Sequence, residues 1–112
     1  IVDSRTPGWH ERLRIPGSVN MPFSDFNDED EAMSHYEDLG VVEKKNGKLD
    51  FSKAKTIVAY CNGYWCGQTP GMFKKSKYSL LKMGYPASKM KYYRGGMQAW
   101  TSLGLTVVGS GK

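Results

Sequence analysis

The chain has 112 residues, of which 39% are apolar and 12% aromatic, so it is long enough to form one domain whose core needs neither disulfides nor metals. With 24% charged residues it has the composition of a globular domain, which excludes a wholly disordered chain. Its net charge of +5 is mildly basic, and no apolar run approaches the ~20 residues that a membrane-spanning helix requires.

The first part of the chain contains short predicted elements. Residues 1–4 and Ser18–Met21 have the apolar character of short strands, and the turn Thr6-Pro7-Gly8 leads into a short helix over Trp9–Leu13. The chain opens on strand residues without a Met, so we expect that it begins inside a longer protein. This expectation leaves its location open between the cytoplasm and the periplasm of a bacterium.

An acidic segment predicts the next helix. Asp28 or Asp30 is placed to cap it, and the helix runs to about Leu39 or Gly40. Acidic side chains in a first helical turn also interact favourably with the helix dipole.

A basic loop follows this helix. It contains five lysines between positions 44 and 55 and an Asn-Gly turn signature within Lys44–Lys48. It does not repeat the interleaving of basic and aromatic residues that nucleic-acid surfaces use. The lysines therefore indicate a solvated face, and we expect no nucleic-acid partner.

The second half of the chain alternates strands and helices. Thr56–Tyr60 is a short apolar run without alternation, which is typical of a central parallel strand buried on both faces. A helix is predicted over about Thr69–Met83, a strand over Lys89–Tyr93 and a short helix over Met97–Leu103.

This alternation favours an α/β fold with a parallel sheet. Leu105–Val108 finishes the fold. We therefore expect one domain over residues 1–108 and a loose C-terminal tail over residues 109–112.

The segment after the central strand combines a cysteine with small residues. Cys61 follows the strand at its carboxyl end, where open α/β sheets bind their ligands. Asn62, Gly63 and Gly67 tolerate the positive φ angles that a curled loop with inward N–H groups requires. Such amides and the following helix N-terminus favour a thiolate. We therefore expect a nucleophile at Cys61 rather than a small buried hydrophobic residue.

The cysteine and histidine content limits other chemistry. The chain has two cysteines, Cys61 and Cys66, and two histidines, His10 and His35, that are distant in sequence. A structural zinc site needs four ligands with paired spacing, and a disulfide framework needs more cysteines. We expect no metal, and a thiolate formed by the loop needs neither histidine as a base.

Several segments, in this order, resemble the family of rhodanese-like domains. Ile1–Pro7 (IVDSRTP) resembles its first strand followed by Asp-x-Arg, and Ile15–Pro22 (IPGSVNMP) resembles its Ile-Pro-Gly segment. Ile57–Cys61 resembles the strand that leads to the catalytic cysteine. Tyr93–Trp100 (YRGGMQAW), followed by Gly104-Leu105, resembles the closing Gly-Gly-x-x-Ala-Trp signature.

This resemblance, interrupted over about residues 24–54, implies a mostly parallel sheet of about five short strands with helices on both faces. It also implies a sulfurtransferase in which Cys61 takes a sulfane sulfur from thiosulfate, a polysulfide or a persulfide. The Cys61 persulfide would pass this sulfur to cyanide, a small thiol or a protein cysteine, by ping-pong kinetics and without a cofactor. The alternative is a non-catalytic binding or sulfur-carrier module that docks a protein partner.

The chain departs from the family pattern at two positions. Many active members have an Arg five residues after the cysteine, where this chain has Cys66, and a His before Ile-Pro-Gly, where it has Arg14. Without the loop Arg, thiosulfate depends on backbone donors, with Gln68 or Arg94 as further substrate contacts. This difference favours a neutral polysulfide or persulfide donor. We expect Asp3 and Arg5 to make structural contacts near the site, and a substrate contact by Arg5 is the alternative.

The loop also argues against a phosphatase. Related folds that remove phosphate or reduce arsenate use a loop one residue longer, with an Arg six positions after the cysteine. Here that position is Gly67, so the bidentate phosphate clamp is missing.

Three further loop residues leave two interpretations open. Cys66 is either a small packing residue at the start of the helix or a resolving thiol. A resolving thiol would attack Cys61, release the outer sulfur as hydrosulfide and leave a disulfide. Tyr64 and Trp65 either hold the loop in shape or form an exposed aromatic rim that contacts a partner or shields the persulfide.

Overall fold

A parallel sheet of four strands forms the centre of the fold, which we describe from a computed structural model covering residues 1–44 and 47–111. The strands are β1 Val2–Asp3, β2 Val19–Asn20, β3 Val42–Glu43, β4 Leu49–Asp50, β5 Ile57–Tyr60 and β6 Met90–Tyr93. The sheet has the order β2-β1-β5-β6, and every neighbouring pair is parallel. The predicted α/β class is confirmed, but within the described residues this sheet has four strands rather than about five.

The other two strands, β3 and β4, form a separate antiparallel hairpin. Gly47 in its turn has a φ of +81°, which glycine adopts without strain. Lys45 and Asn46, which belong to the predicted Asn-Gly turn and basic loop, lie outside the described residues. The four described lysines of that loop are all exposed, as expected for a solvated face.

Helices cover both faces of the parallel sheet. They are α1 Pro7–Arg12, α2 Glu29–Asp38, α3 Gln68–Pro70, α4 Leu80–Met83 and α5 Gly96–Ser102, with 3₁₀ turns at Phe23–Asn27 and Ala87–Lys89 and a π-helical turn at Gly71–Lys75. Successive side chains of a strand point to opposite faces. Accordingly, Ile57 and Ala59 of β5 belong to one core and Tyr60 to a second. The prediction that this strand is buried on both faces holds only in part, because Val58 is 37% exposed.

The second core lies directly below the end of β5. Tyr60 packs there with Ile15 and Met97. Burial raises the pKa of Tyr60 above its ordinary value, so its hydroxyl stays protonated. The hydroxyl oxygen accepts a hydrogen bond from the Ile15 N–H over 3.2 Å and lies 3.0 Å from Ser18 Oγ. These contacts fix the strand end from which the next residue, Cys61, emerges.

The prediction of one continuous helix over about Thr69–Met83 is wrong. It is divided into α3, the π-helical turn and α4, and Ser76 and Ser79 have extended backbone conformations at the break. The N–H of Tyr78 donates to the carbonyl oxygen of Phe26 over 2.7 Å rather than to its own helix. Ser76 Oγ also donates to a distant carbonyl oxygen, that of Phe23, over 3.4 Å, whereas Ser79 Oγ has no partner among the described residues.

The last residues are held by backbone hydrogen bonds. Arg14 and Val108 exchange two of them, of 2.8 and 3.1 Å. Ser110 and Gly111 each donate over 2.8 Å to carbonyl oxygens at the end of α1. We expected residues 109–112 to form a loose tail, but Ser110 and Gly111 are bonded to the end of α1. Lys112 lies outside the described residues.

Within residues 1–44 and 47–111, no helix is both long enough and apolar enough to cross a membrane.

The predicted acidic helix is confirmed as α2, and Asp28 is its N-cap. Its carboxylate accepts hydrogen bonds from the N–H groups of Asp30 and Glu31, over 3.0 and 3.3 Å. We predict that Asp28→Ala lowers the free energy of unfolding by about 1 kcal/mol, because both N–H groups lose their acceptor. Asp28→Asn keeps a side-chain oxygen there and should lose much less. Urea denaturation measures both, and equal stability of Asp28→Ala and the wild type would contradict this assignment.

Candidate active site

Cys61 lies at the carboxyl edge of the parallel sheet. It directly follows β5, whose last residue, Tyr60, is paired with Asp3 of β1 and with Tyr93 of β6. The chain therefore leaves three neighbouring strands at one edge, and Arg94 follows β6 there. This edge is where α/β sheets bind their ligands, so the predicted placement of Cys61 agrees with the structure.

The segment after β5, which we call the cysteine loop (residues 61–67), closes by an ordinary turn. The N–H of Cys66 donates to the carbonyl oxygen of Gly63 over 3.1 Å, so Tyr64 and Trp65 occupy the two central turn positions. Their rings meet edge to face, with centroids 5.4 Å apart. The two aromatic side chains therefore form the tip of the loop.

The prediction that the small residues of the loop adopt positive φ angles is wrong. Asn62, Gly63 and Gly67 do not have positive φ angles, and Gly67 has a φ of −90°. The closing turn needs no left-handed residue. Gly63 instead lies under the ring of Trp65, and a Cβ there would require this exposed ring to move.

Cys61 and Cys66 are joined by a disulfide. Their Cα atoms are 6.3 Å apart, within the range that a disulfide spans. Cys61 is 1% exposed, whereas Cys66 is partly exposed. The structure thus brings the two sulfurs together, and Cys66 is not merely a packing residue at the helix start. This arrangement is the one that a resolving thiol requires.

Gln68, a predicted substrate contact, lies against the buried sulfur. Its Oε1 is 3.0 Å from Sγ of Cys61. A sulfur in a disulfide carries no proton, so this contact becomes a hydrogen bond only when Cys61 is a thiol. Gln68 is therefore placed to accept the thiol proton of reduced Cys61.

The buried side chain of Arg5 binds the start of the cysteine loop. Its guanidinium donates to both carboxylate oxygens of Asp3, to the Oδ1 of Asn62 over 3.0 Å and to the backbone carbonyl of Leu13. Asp3 is also 2.9 Å from Nδ1 of His10. Arg5 is only 2% exposed. These contacts are the structural ones expected of Asp3 and Arg5. The alternative, a substrate contact by Arg5, does not fit this arrangement, because each guanidinium nitrogen already donates to a protein acceptor and the side chain is buried.

The far end of the loop is held by a pair of buried hydroxyls. Ser4 Oγ donates to the Tyr60 carbonyl oxygen over 2.9 Å, and it lies 2.7 Å from Oγ1 of Thr69. Because the single proton of Ser4 is already used, Thr69 is the donor in the second bond. The first turn of α3 is thereby tied to β1.

The start of α5 also binds the cysteine loop. The N–H groups of Met97 and Gln98 donate to the carbonyl oxygens of Cys61 and Asn62, over 2.9 and 2.8 Å. Gly96 has a φ of +57°, and a Cβ at this residue would overlap the carbonyl oxygen of Cys61. The second position of the Gly-Gly signature therefore requires glycine, because the backbone of the cysteine loop leaves no room for a Cβ there.

Several amides of the cysteine loop have no acceptor within the described part of the protein. In the part of the chain that the structure describes, no group accepts a hydrogen bond from the N–H groups of Asn62, Gly63, Tyr64, Trp65 or Gly67. Free amides on neighbouring residues can bind an anion. The anion-binding role of the loop stays a prediction, because its backbone conformation differs from the one on which the prediction rested.

The remaining predicted residues are exposed or engaged elsewhere. Tyr64 and Trp65 are 65% and 60% exposed, so an aromatic rim is present, and Trp65 also covers Gly63. Arg94 is exposed at the same sheet edge. His35 is paired with Asp25 at 2.8 Å.

Sequence reasoning missed the residues that position the loop. Ser4, Thr69 and Gly96 act through hydrogen bonds or close backbone contacts between segments distant in sequence. The paired glycines at the start of α5, Gly95 and Gly96, were a usable signal, since adjacent glycines mark a close backbone approach. Single hydroxyl residues such as Ser4 and Thr69 give no comparable signal.

Comparisons with known proteins extend this description. A family model described as the rhodanese-like domain matches residues 1–103. Among solved structures, the chain is similar to the BH2092 protein from Bacillus halodurans, with 22% sequence identity and a TM-score of 0.64 over 98% of this chain. It spans 63% of the length of that protein's chain, and the similarity concerns the fold. No curated protein matches the chain.

We predict that Gly96→Ala destabilises the protein more than Gly104→Ala does. Gly104 has a φ of +71° and no heavy atom within 4 Å of an added Cβ, so its substitution costs only the left-handed strain of about 1 kcal/mol. At Gly96 the Cβ must also displace the Cys61 carbonyl, which adds about 1 kcal/mol or more. Urea denaturation compares the two variants, and equal losses would contradict the close contact.

Proposed function

The chain belongs to the family of rhodanese-like domains, and we propose that it is a sulfurtransferase that carries a sulfane sulfur as a persulfide on Cys61. The observation that supports this most directly is the position of Cys61. It stands at the carboxyl edge of the sheet, at the start of a loop with free amides. A thiolate surrounded by such donors is a nucleophile.

The first half-reaction loads Cys61. Its thiolate attacks the sulfane sulfur of the donor, a bond forms between Sγ and that sulfur, and the sulfur–sulfur bond of the donor breaks. The rest of the donor leaves with the electron pair, as sulfite from thiosulfate or as a shortened polysulfide or thiolate. Backbone amides of the loop would bind the negative charge of the donor and then of the persulfide.

We propose a polysulfide or persulfide as the donor rather than thiosulfate. The loop has Cys66 where a cation would bind a doubly charged anion, and the guanidinium of Arg5 is sealed beneath it. Among the predicted substrate contacts, Arg94 is the one cation that is exposed at this edge of the sheet. An organic polysulfide or persulfide carries at most one negative charge on its sulfur chain, so it needs less compensation than doubly charged thiosulfate.

The second half-reaction unloads the persulfide. An acceptor such as cyanide or a thiolate attacks the outer sulfur, takes it, and leaves Cys61 as the thiolate. Cys66 offers a competing route: its thiolate attacks Sγ of Cys61, and the outer sulfur leaves as hydrosulfide with its proton. The product of that route is the Cys61–Cys66 disulfide, which is the pairing in the structure.

A non-catalytic module that docks a protein partner is the second candidate. It is favoured by the exposed pair Tyr64 and Trp65 and by a groove of about 330 Å³ beside it, which Trp9, Trp65 and Met97 help to line. Burial of Cys61 under the disulfide also favours it. A module of this kind would bind its partner without turning over any sulfur donor.

The two cysteines differ in their expected effect on sulfur transfer to cyanide. We predict that Cys61→Ser abolishes thiocyanate formation from a polysulfide, because no sulfur can be loaded. Cys66→Ser should retain it and release less hydrosulfide, because the competing route is lost. Thiocyanate and hydrosulfide are measured on the reduced proteins with the same donor.

Transfer by Cys61→Ser at the wild-type rate would contradict the proposal. Loss of transfer in both variants would show that Cys66 takes part in the transfer itself. Absence of thiocyanate with the wild type and every donor would favour the docking module.

A further inference from the structure

The two sulfurs of the cysteine loop differ in their accessibility. Cys61 is 1% exposed, whereas Cys66 is partly exposed and directly follows the two exposed aromatic residues of the tip. A thiolate opens a disulfide by attacking one of its sulfurs, and access decides which one is attacked. Cys61 offers no surface for this approach in the disulfide form, and Cys66 is the residue of the pair that has exposed surface.

From this difference we infer that the chain is also a thiol–disulfide exchange protein, in which an incoming thiol attacks Sγ of Cys66 and Cys61 leaves. This activity goes beyond sulfur transfer. It uses the same cysteine pair, but it does not require that Cys61 ever carries a sulfane sulfur. The substrates of the exchange are thiols that can reach the tip of the loop.

The surroundings of Cys61 suit a leaving sulfur. Exchange is faster when the leaving thiolate is stabilised. The amides of Asn62, Gly63 and Gly67 have no acceptor among the described residues and can bind an anion at this loop. When the leaving sulfur later takes a proton, Oε1 of Gln68 is 3.0 Å away to accept the hydrogen bond.

The electrons balance with thiols as the reductant. In the first step a thiolate bonds to Sγ of Cys66, the bond between the two loop sulfurs breaks, and its electron pair leaves on Cys61. In the second step another thiolate attacks the sulfur of the first thiol and expels Cys66 as a thiolate. Two thiols are oxidised to one disulfide, the protein pair is reduced by two electrons, and the two protons of the thiols pass to the cysteines.

Peptide mapping of the trapped intermediate tests this inference without any sulfur donor. The oxidised wild-type protein is mixed with reduced glutathione, and the free thiols are then alkylated with iodoacetamide. We expect glutathione on Cys66 and the alkyl group on Cys61, with a preference of more than about tenfold over the reverse pattern. Dithiothreitol, which closes on itself, should instead give both cysteines alkylated.

The same oxidised chain unfolded in urea is the matched control. Unfolding exposes both sulfurs, so glutathione should then attach to Cys61 and Cys66 in similar amounts. A native pattern equal to the unfolded one, or a preference for Cys61, would overturn the inference. It would also be overturned if the oxidised protein holds no Cys61–Cys66 disulfide, or if native protein resists both thiols while the unfolded chain reacts.

Discussion

The buried guanidinium of Arg5 is the constraint on which the geometry of the cysteine loop depends. A charge in this position is stable only with a counterion and with its N–H groups bound, and Asp3, Asn62 and the carbonyl of Leu13 supply these contacts. Removing one partner from such a pair costs about 3–5 kcal/mol, so the first strand, the end of α1 and the loop keep one arrangement. Because its guanidinium nitrogens make these contacts, Arg5 is not available to bind a substrate. The loop therefore has no free cation at the position of Arg5.

This arrangement gives one site two chemical states. In the disulfide state Cys61 is covered, and no sulfur donor can reach it. In the reduced state, as we propose, Cys61 is a nucleophile at the start of the cysteine loop, and Cys66 is within bonding reach of any persulfide that forms. Loading and resolution then follow from the short distance between the two residues. A thiol that attacks Cys66, the partly exposed cysteine of the pair, returns the site from the disulfide state to the reduced state, as we infer.

The sequence predicted the parallel sheet, the place of Cys61 and the cap of α2, because each depends on residues that are close in the chain. Polar residues at a helix start and an apolar run before a cysteine are local signals. It did not predict the break at Ser76 and Ser79, which follows from a hydrogen bond to the distant Phe26. The disulfide stayed one of two interpretations, because spacing alone does not determine how a loop turns. The left-handed glycine that matters for the loop is Gly96, since it contacts Cys61 from another segment.

The central claim is that the sulfur of Cys61 holds the transferred atom. Mass spectrometry of the reduced Cys66→Ser protein, after exposure to polysulfide and digestion, tests it most directly because the resolving route is absent. We predict one added sulfur atom on the peptide that contains Cys61, and its removal by cyanide. A peptide that stays unmodified in a folded protein, or an added sulfur that cyanide does not remove, would contradict the account.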